Sequence, residues 1–241
     1  MKKIAMGNTA EVYEYDEYKV CKLFFEGYSV QSIQREFHNA RLINKLSIMA
    51  PKVYDLIEIN GRHGLIYEEL KGHDLLEEII QNAMNAEKLM QLIKILSDIH
   101  KEIIKHRITG CMDYKDFLKE LYRGRESQYA DELELIGRLP DSDYLCHGDF
   151  HPGNVWRNED GTLSIIDFMN VCHGPREYDI ARTYYLLTET ELPEGCAEEE
   201  KALLQNSRNE MGRLYLHFME CKICELDKYL TVIRNARRFE K

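Results

Sequence analysis

The residues with the clearest chemical meaning lie between His147 and Asp167. Asp149 lies five positions before Asn154, and Asp167 ends a short apolar run. A carboxylate on a loop can orient a hydroxyl group and accept its proton. An amide oxygen and a second carboxylate are hard donors of the kind that Mg²⁺ prefers. This set predicts phosphoryl transfer to an alcohol, with Asp149 as catalytic base and Asn154 and Asp167 as metal ligands.

A β-hairpin is predicted to bring the two metal ligands together. One strand begins at Val155 and the other ends at Ile166, with a turn expected over residues 158–161. With a four-residue turn, Asn154 faces Ile165, and Asp167 lies two residues further along. Both side chains then reach the open end of the hairpin.

A second candidate pair lies in the first third of the chain. Lys22 stands inside an apolar, β-rich run, so it points to one face of a strand and needs an anion there. Glu36 borders the apolar face of the next predicted helix, over residues 30–46. Taken alone, these residues would be an exposed lysine and a solvated glutamate. The downstream motif favours an ion pair between them.

The string His-Gly-Asp-Phe-His-Pro-Gly-Asn at 147–154, with Asp167, resembles the aminoglycoside phosphotransferase and choline kinase superfamily. This superfamily is a branch of the protein-kinase-like fold, and the resemblance covers about residues 7–187. It implies an α+β, bilobal architecture, with a small N-terminal β-sheet lobe carrying one helix and a larger, mostly helical C-terminal lobe. It also implies ATP, with GTP as an alternative donor, and Mg²⁺ as cofactors.

The resemblance assigns nucleotide-binding roles to several residues. Lys22 would contact the α- and β-phosphates. Gly7 and Thr9 would belong to a loop that covers the nucleotide, although this loop has one glycine where protein kinases carry three. Backbone groups of Glu68 and Leu70 would bond the adenine edge at an interlobe hinge.

Three further residues are candidates for supporting the predicted base. By resemblance, Asp179 braces the catalytic loop, although an aspartate in the first turn of a helix is favoured there by the dipole alone. His147 is interpreted as a residue that fixes the loop. His151 would either approach the substrate or make a local hydrogen bond.

The elements that must position these residues follow from the hydrophobic pattern. Strands are expected at residues 2–6, 11–15, 18–25, 53–59 and 65–68, with the helix at 30–46 between the third and fourth. Helices are expected at about 89–103, at 114–136 and from 178 onward, around a β-rich island at 144–167. The change in pattern near Gly72 predicts a boundary there. The resemblance implies a nucleotide-binding lobe at 1–70 and a catalytic and substrate-binding lobe at 71–241.

Composition narrows the class of protein. The chain has 241 residues and a net charge of −10, which disfavours nucleic-acid binding. No apolar run reaches membrane-spanning length, and no secretory signal is expected. The seven scattered cysteines favour a reducing cytoplasm. Cys221 and Cys224 are interpreted as two thiols on one helix face rather than as a zinc site. The oligomeric state stays open.

The leading interpretation is a small-molecule kinase, that is, a phosphotransferase with an alcohol group as acceptor. A protein kinase is disfavoured for two reasons. Asp167-Phe168-Met169 lacks the glycine of D-F-G, and a helix expected soon after Pro175 leaves no room for a long activation loop. A third candidate is a catalytically weak nucleotide-binding pseudokinase, or a protein-kinase-like regulator. The complete set of candidate catalytic residues argues against it.

In the family that the chain resembles, acidic side chains of the C-terminal lobe hold cationic acceptors. By this resemblance, the acidic residues after the hairpin indicate an amine-bearing acceptor, such as an aminoglycoside or an amino alcohol. Carboxylates lining a site would concentrate a cationic substrate. The alternative is that several of them form only the first turn of a surface helix. The residues in question are Glu177, Asp179, Glu189, Glu191, Glu194, Glu198, Glu199 and Glu200.

Overall fold

The computed structural model describes residues 1–83, 85–190 and 198–240. The chain forms two compact units: Met1–Asp74 with Asn154–Val171, and Leu75–Gly153 with Cys172–Lys241. The first unit therefore extends past the sequence-based boundary at 70/71 and includes the predicted metal-ligand hairpin. Compactness does not test which residues bind which substrate, so the functional lobes at 1–70 and 71–241 stay a prediction.

The α+β architecture expected from the sequence is confirmed. In chain order the described elements are β1 (Lys3–Met6), β2 (Ala10–Asp16), β3 (Lys19–Phe24), α1 (Val30–Ile43), β4 (Val53–Ile59), β5 (Arg62–Glu68), β6 (Gly72–Asp74), α2 (Leu75–Gln81), α3 (Ala86–Ile104), β7 (Met112–Asp113), α4 (Tyr114–Glu120), α5 (Ala130–Gly137), β8 (Tyr144–Cys146), β9 (Val155–Asn158), β10 (Leu163–Ile165), β11 (Cys172–Gly174), α6 (Arg176–Thr188), α7 (Glu198–Met219) and α8 (Ile223–Arg237).

A five-stranded antiparallel sheet forms most of the first unit. Its strand order is β1-β2-β3-β5-β4, and α1 packs against β4 and β5. Cys21, Leu23 and Ile66 form a buried cluster on this sheet. The predicted sequence of three strands, one helix and two strands is thus present, because alternation in the strands and a 3.6-residue period in the helix separate the two clearly.

Helix α1 ends three residues earlier than predicted. The side chain of Ser29 caps its start by accepting a hydrogen bond from the Ser32 backbone N–H. At the other end, the Asn44 backbone N–H still bonds the Ala40 carbonyl. The Asn44 side chain bonds Pro51 and Val53 instead, which ties the helix end to the following strand.

A smaller sheet of order β10-β9-β6 completes this unit. The sequence analysis missed strand β6, which is only three residues long and begins with a glycine. Gly72 has φ +146°, and a Cβ at this position would overlap the Arg157 carbonyl oxygen. A glycine in a strand therefore marks a close approach of two backbones here, where no other residue fits.

The predicted register of the hairpin is wrong by one residue. Val155 pairs with Ile165, and the Ile166 N–H donates to the Asn154 carbonyl at 3.0 Å. The Asn158 N–H bonds the Thr162 carbonyl at 2.8 Å, which leaves a three-residue loop rather than four. Gly161, at φ +83°, supplies the left-handed residue that such a loop needs. Asp167 consequently follows the partner of Asn154 directly.

The second unit is mostly helical. Helix α3 packs against α7, and α6 packs against both α7 and α8. A small sheet of order β7-β11-β8 lies beside them, with Cys172 directly opposite Cys146. Among the described helices, none is both long enough and apolar enough to cross a membrane.

Two predictions for this unit are wrong. The single helix expected at 114–136 is two helices, α4 and α5, because Gly124 adopts φ +77° between them. The second error concerns the thiol pair. Cys221 lies in the break between α7 and α8, whereas Cys224 lies within α8. The two thiols therefore do not share one helix face.

Replacing Gly72 by alanine tests the close approach of β6 and β9. We expect a loss of about 2–4 kcal/mol of unfolding free energy from the backbone clash and the positive φ. The measurement is the denaturant midpoint. Gly61→Ala is the matched control, because Gly61 has φ +79° but open space around a Cβ. It should lose only about 1 kcal/mol, and equal losses in both variants would contradict the clash.

Candidate active site

Lys22 is held between two carboxylates. Its Nζ donates to both carboxylate oxygens of Glu36, at 2.8 and 3.0 Å, and to Asp167 Oδ1 at 3.3 Å. Strand β3 supplies the lysine, α1 supplies the glutamate, and the aspartate follows β10. The predicted contact between Lys22 and Glu36 is therefore present, and Asp167 joins it.

Burial and charge act in opposite directions on this cluster. Burial alone would lower the pKa of Lys22, but the negative charges of Asp167 and Glu36 outweigh it and raise that pKa above its usual value. Glu36 is 1% exposed, and the Tyr67 hydroxyl also donates to it at 3.0 Å. The charged form of the Lys22 ammonium group is therefore favoured, and its partner Glu36 is held from two sides.

Asp167 adopts a backbone conformation that is unusual for a residue other than glycine. Its φ is +65°, in the left-handed region, where aspartate and asparagine are better tolerated than most residues. The side chain is 41% exposed, in contrast to Glu36. Its carboxylate can therefore contact a further ligand while one oxygen stays near Lys22.

Asn39 holds the segment that follows Asp167, and the sequence analysis missed it. From the buried face of α1, its side-chain N–H group donates to the carbonyls of Phe168 at 2.9 Å and Val171 at 3.3 Å. It is 1% exposed. The available signal was a polar amide beside the apolar position Ala40, and a buried amide needs partners.

Asn154 and Asp167 form a donor set that suits a magnesium ion shared with phosphates. Asn154 ends a short 3₁₀ turn, Pro152–Asn154, and is 7% exposed. The hairpin register places Asn154 across from Ile166, the residue directly before Asp167. Within the described residues, no three His, Cys, Asp or Glu side chains converge on a potential ion site. Mg²⁺ commonly uses one or two protein oxygens together with substrate phosphates, so the pair fits.

The loop that carries Asp149 is fixed by a buried carboxylate. Asp179, on α6, accepts hydrogen bonds from the backbone N–H groups of His147 at 2.8 Å and Gly148 at 2.9 Å. The other partner is His100 Nε2, at 2.9 Å. Burial would raise the pKa of Asp179, but the bond and charge of His100 and the Gly148 N–H hold it below its usual value.

His100 was not identified from the sequence. It lies on α3 in the middle of an apolar stripe, fully buried, where a histidine is usually a satisfied core residue. Its Nδ1 is 2.6 Å from the Tyr215 hydroxyl. His100 therefore connects α3, α7 and the aspartate on α6 in one hydrogen-bonded chain.

The two histidines of the loop make local contacts. His147 Nδ1 accepts the Asp149 backbone N–H at 3.3 Å, and His147 is 1% exposed. His151 Nδ1 accepts the Gly153 N–H at 3.1 Å, and its Nε2 lies 3.9 Å from Asp149 Oδ2. His151 thus combines a local hydrogen bond with proximity to the predicted base.

The predicted nucleotide contacts lie in the first unit. The Gly7 N–H bonds the Ala10 carbonyl at 2.9 Å, and the Thr9 carbonyl accepts from Phe25 at 3.0 Å, which makes a tight turn between β1 and β2. The Glu68 N–H already donates to the Lys52 carbonyl at 2.8 Å. The predicted contacts with the adenine edge would therefore have to come from the Glu68 carbonyl and the backbone of Leu70.

The acidic residues proposed for an acceptor site have different environments. Asp179 is buried in the loop brace, and Glu189 makes a two-bond ion pair with Arg234 at 2.6 and 2.7 Å. Glu177 and Glu199 are exposed. Glu191, Glu194 and the side chains of Glu198 and Glu200 lie outside the described residues. Two of the eight carboxylates are therefore already engaged.

Comparison with known structures supports a protein-kinase-like phosphotransferase fold. A thermostable mutant of aminoglycoside phosphotransferase APH(4)-Ia, in a ternary complex with ADP and hygromycin B, matches with a TM-score of 0.54 and 12% identity over 98% of this chain and 92% of that chain. The streptomycin–ATP–APH(2")-IIa complex matches with a TM-score of 0.58 and 18% identity over 98% and 80%. Aminoglycoside-3'-phosphotransferase of type VIII matches with a TM-score of 0.59 and 18% identity, over 92% of this chain and 84% of that chain.

Residues 1–216 match the model of the Phosphotransferase enzyme family, so the chain belongs to this family. Family and fold together make it a small-molecule kinase, as predicted. The curated proteins contained no significant match.

Asn39→Leu tests how the segment after Asp167 is held. The leucine fills a similar volume but removes the side-chain donor of these buried carbonyls, which should lower the unfolding free energy by about 1–3 kcal/mol. Urea denaturation is the measurement. Asn158→Ala is the control, because that side chain bonds Thr162 and Ser164 at the hairpin end, away from the segment after Asp167. A loss in Asn39→Leu no larger than in the control would contradict the assignment.

Proposed function

We propose that the protein transfers the γ-phosphate of ATP, with Mg²⁺, to a hydroxyl group of a small molecule. The observation that carries this proposal is the cluster of Lys22, Glu36 and Asp167. An ammonium group fixed by a buried glutamate and facing a half-exposed aspartate is suited to hold nucleotide phosphates beside a metal ion.

The nucleotide roles follow from this cluster. Lys22 binds the α- and β-phosphates, and Glu36 keeps its ammonium group in place. Asn154 and Asp167 would hold Mg²⁺, which would neutralise charge on the phosphates.

Two further pairs complete the proposed nucleotide site: Gly7 and Thr9 in the covering turn, and the backbones of Glu68 and Leu70 beside adenine. We assign nucleotide binding to residues 1–70, and catalysis and acceptor binding to residues 71–241.

Asp149 is the proposed base. Its backbone N–H is bonded to His147, and the preceding peptide is bonded to Asp179, so the carboxylate is carried by a fixed loop. A carboxylate held in this way can orient the acceptor hydroxyl and take its proton as the phosphoryl group is transferred. His147 and Asp179 act by holding the loop and do not contact the reacting atoms.

Two isosteric substitutions separate the proposed roles. Asp149→Asn should lower kcat by about 10²–10⁴-fold with nucleotide affinity nearly unchanged, because a base acts mainly in the transition state. Asp167→Asn, which also tolerates a positive φ, should instead weaken nucleotide binding in the presence of Mg²⁺ and raise the Mg²⁺ concentration required. Steady-state kinetics and nucleotide titrations with and without Mg²⁺ measure both. Near-normal turnover in Asp149→Asn would remove this residue from the mechanism.

We propose an acceptor that carries at least one amine, such as an aminoglycoside or an amino alcohol. Support comes from the net charge of −10 and from the hygromycin B and streptomycin bound to the structural neighbours. At 12–18% identity those ligands suggest candidates to test. ATP is proposed as donor, and GTP is the alternative to be compared by kcat/KM.

A coupled ADP-release assay with aminoglycosides, amino alcohols and neutral sugars tests the acceptor class. For a cationic acceptor attracted by carboxylates, KM should rise as ionic strength increases from about 0.02 to 0.3 M, while the KM of a neutral sugar should change little. Efficient phosphorylation of an uncharged sugar, with every amine inactive, would contradict the cationic acceptor and leave the kinase proposal standing.

A further inference from the structure

A buried arginine contacts the loop that carries Asp149 at the same residue as Asp179, Gly148. Arg182, on α6, is 2% exposed, and its Nε donates to the Gly148 carbonyl at 2.7 Å. Gly148 has φ +77°. Its N–H is bonded by Asp179 and its carbonyl by Arg182, so both faces of this one residue are held by side chains of the same helix.

Arg182 is itself oriented by a carboxylate after α8. Its two terminal nitrogens donate to the two oxygens of Glu240, at 2.9 and 2.8 Å. Arg237 adds a third contact to this carboxylate at 3.0 Å. Burial would raise the pKa of Glu240, but the charge and hydrogen bonds of Arg182 hold it at about 2. The pair is therefore ionised at neutral pH and has the two-bond geometry that fixes a guanidinium plane.

Aromatic packing fixes the position of the segment that carries Glu240. The Phe239 ring meets the rings of Tyr122 and Tyr129 edge-on, with centroids 5.3 and 5.1 Å away. Arg125 lies over the same ring at 4.6 Å. These contacts anchor residue 239 on the α4–α5 region, which limits the positions available to Glu240.

We propose that Glu240 is a positioning residue for phosphoryl transfer. It orients Arg182, Arg182 fixes the Gly148 carbonyl, and the Gly148–Asp149 peptide then sets the direction in which the Asp149 carboxylate points. The inference rests on the proposed role of Asp149 as base. Glu240 does not touch the reacting atoms and acts through Arg182 and Gly148.

The chemistry of the pair favours positioning over stability alone. A buried ion pair is often no more stabilising than apolar residues of the same volume, because both charges lose their hydration. A guanidinium group has a further property: its donors lie in one rigid plane. Two donors of Arg182 bind Glu240, and a third binds the loop, so the carboxylate sets the angle of the bond to Gly148.

Glu240→Gln removes the charge and one of the two acceptors while keeping the shape. We expect kcat to fall about 10–100-fold, since a misplaced catalytic group can cost that much, and we expect nucleotide Kd to stay unchanged. Glu240→Asp keeps the carboxylate and should recover part of the lost kcat. Glu210→Gln is the chemical control, because Glu210 makes a similar two-bond pair with Arg213 on the exposed face of α7.

Loss of stability is controlled separately. Val232→Ala removes buried volume from α8 without a hydrogen bond to the loop, and all variants are assayed well below the lowest Tm. A kcat loss in Glu240→Gln well beyond that of Val232→Ala, with nucleotide Kd preserved, supports positioning. Equal kcat values in these two variants, or a kcat loss matched by Glu210→Gln, would overturn it. Asp149→Asn reports on the base itself, so failure there is distinguishable from failure here.

Discussion

The Asp179 carboxylate is the interaction on which the second unit depends. It accepts two consecutive backbone N–H groups from the loop and a third hydrogen bond from His100, which in turn contacts Tyr215. Three helices and the loop that carries the proposed base are thereby connected through one fully buried charge. Such a charge is tolerated only when it is paired and hydrogen-bonded. The same requirement that satisfies Asp179 therefore fixes the backbone beside Asp149.

In the first unit, the central electrostatic feature is the charge of Lys22. Lys22 needs negative partners to stay charged when partly buried, and Glu36 and Asp167 provide them with unequal exposure. The buried partner, Glu36, is also bonded by Tyr67, whereas the side chain of Asp167 is 41% exposed. The ammonium group of Lys22 is thus held by one buried and one partly exposed carboxylate, and the partly exposed one is the metal ligand that we propose.

Much of this could be read from the sequence, because local patterns carry it. Residues 147–154 identified the phosphotransferase class, and alternation and helical periodicity gave the sheet and helix of the first unit in order. Boundaries and registers were less accurate. A left-handed glycine at 161 shortened the hairpin loop, and another at 124 divided a predicted helix. Both glycines were visible, but a sequence does not state the sign of φ.

The residues that hold the site were the hardest to predict. Asn39, His100 and Arg182 look like ordinary polar residues within helices, and their partners lie far away in sequence, at Phe168, Asp179 and Glu240. Only the fold brings each donor to its acceptor. A catalytic motif is compact along the chain, whereas the groups that orient it are distributed among elements whose contacts no local pattern records.

The position of Cys146, opposite Cys172 on the neighbouring strands β8 and β11, determines which thiols chemical labels can reach. Both thiols are fully buried, and burial raises the pKa of Cys146 well above that of a free thiol. Electrophilic probes react with thiolates, so the cysteine adjoining the catalytic loop is protected. Cys224, exposed on α8, is open to the same reagents. A fluorophore or spin label can thus be attached at Cys224 while Cys146, directly before His147, is protected by its burial.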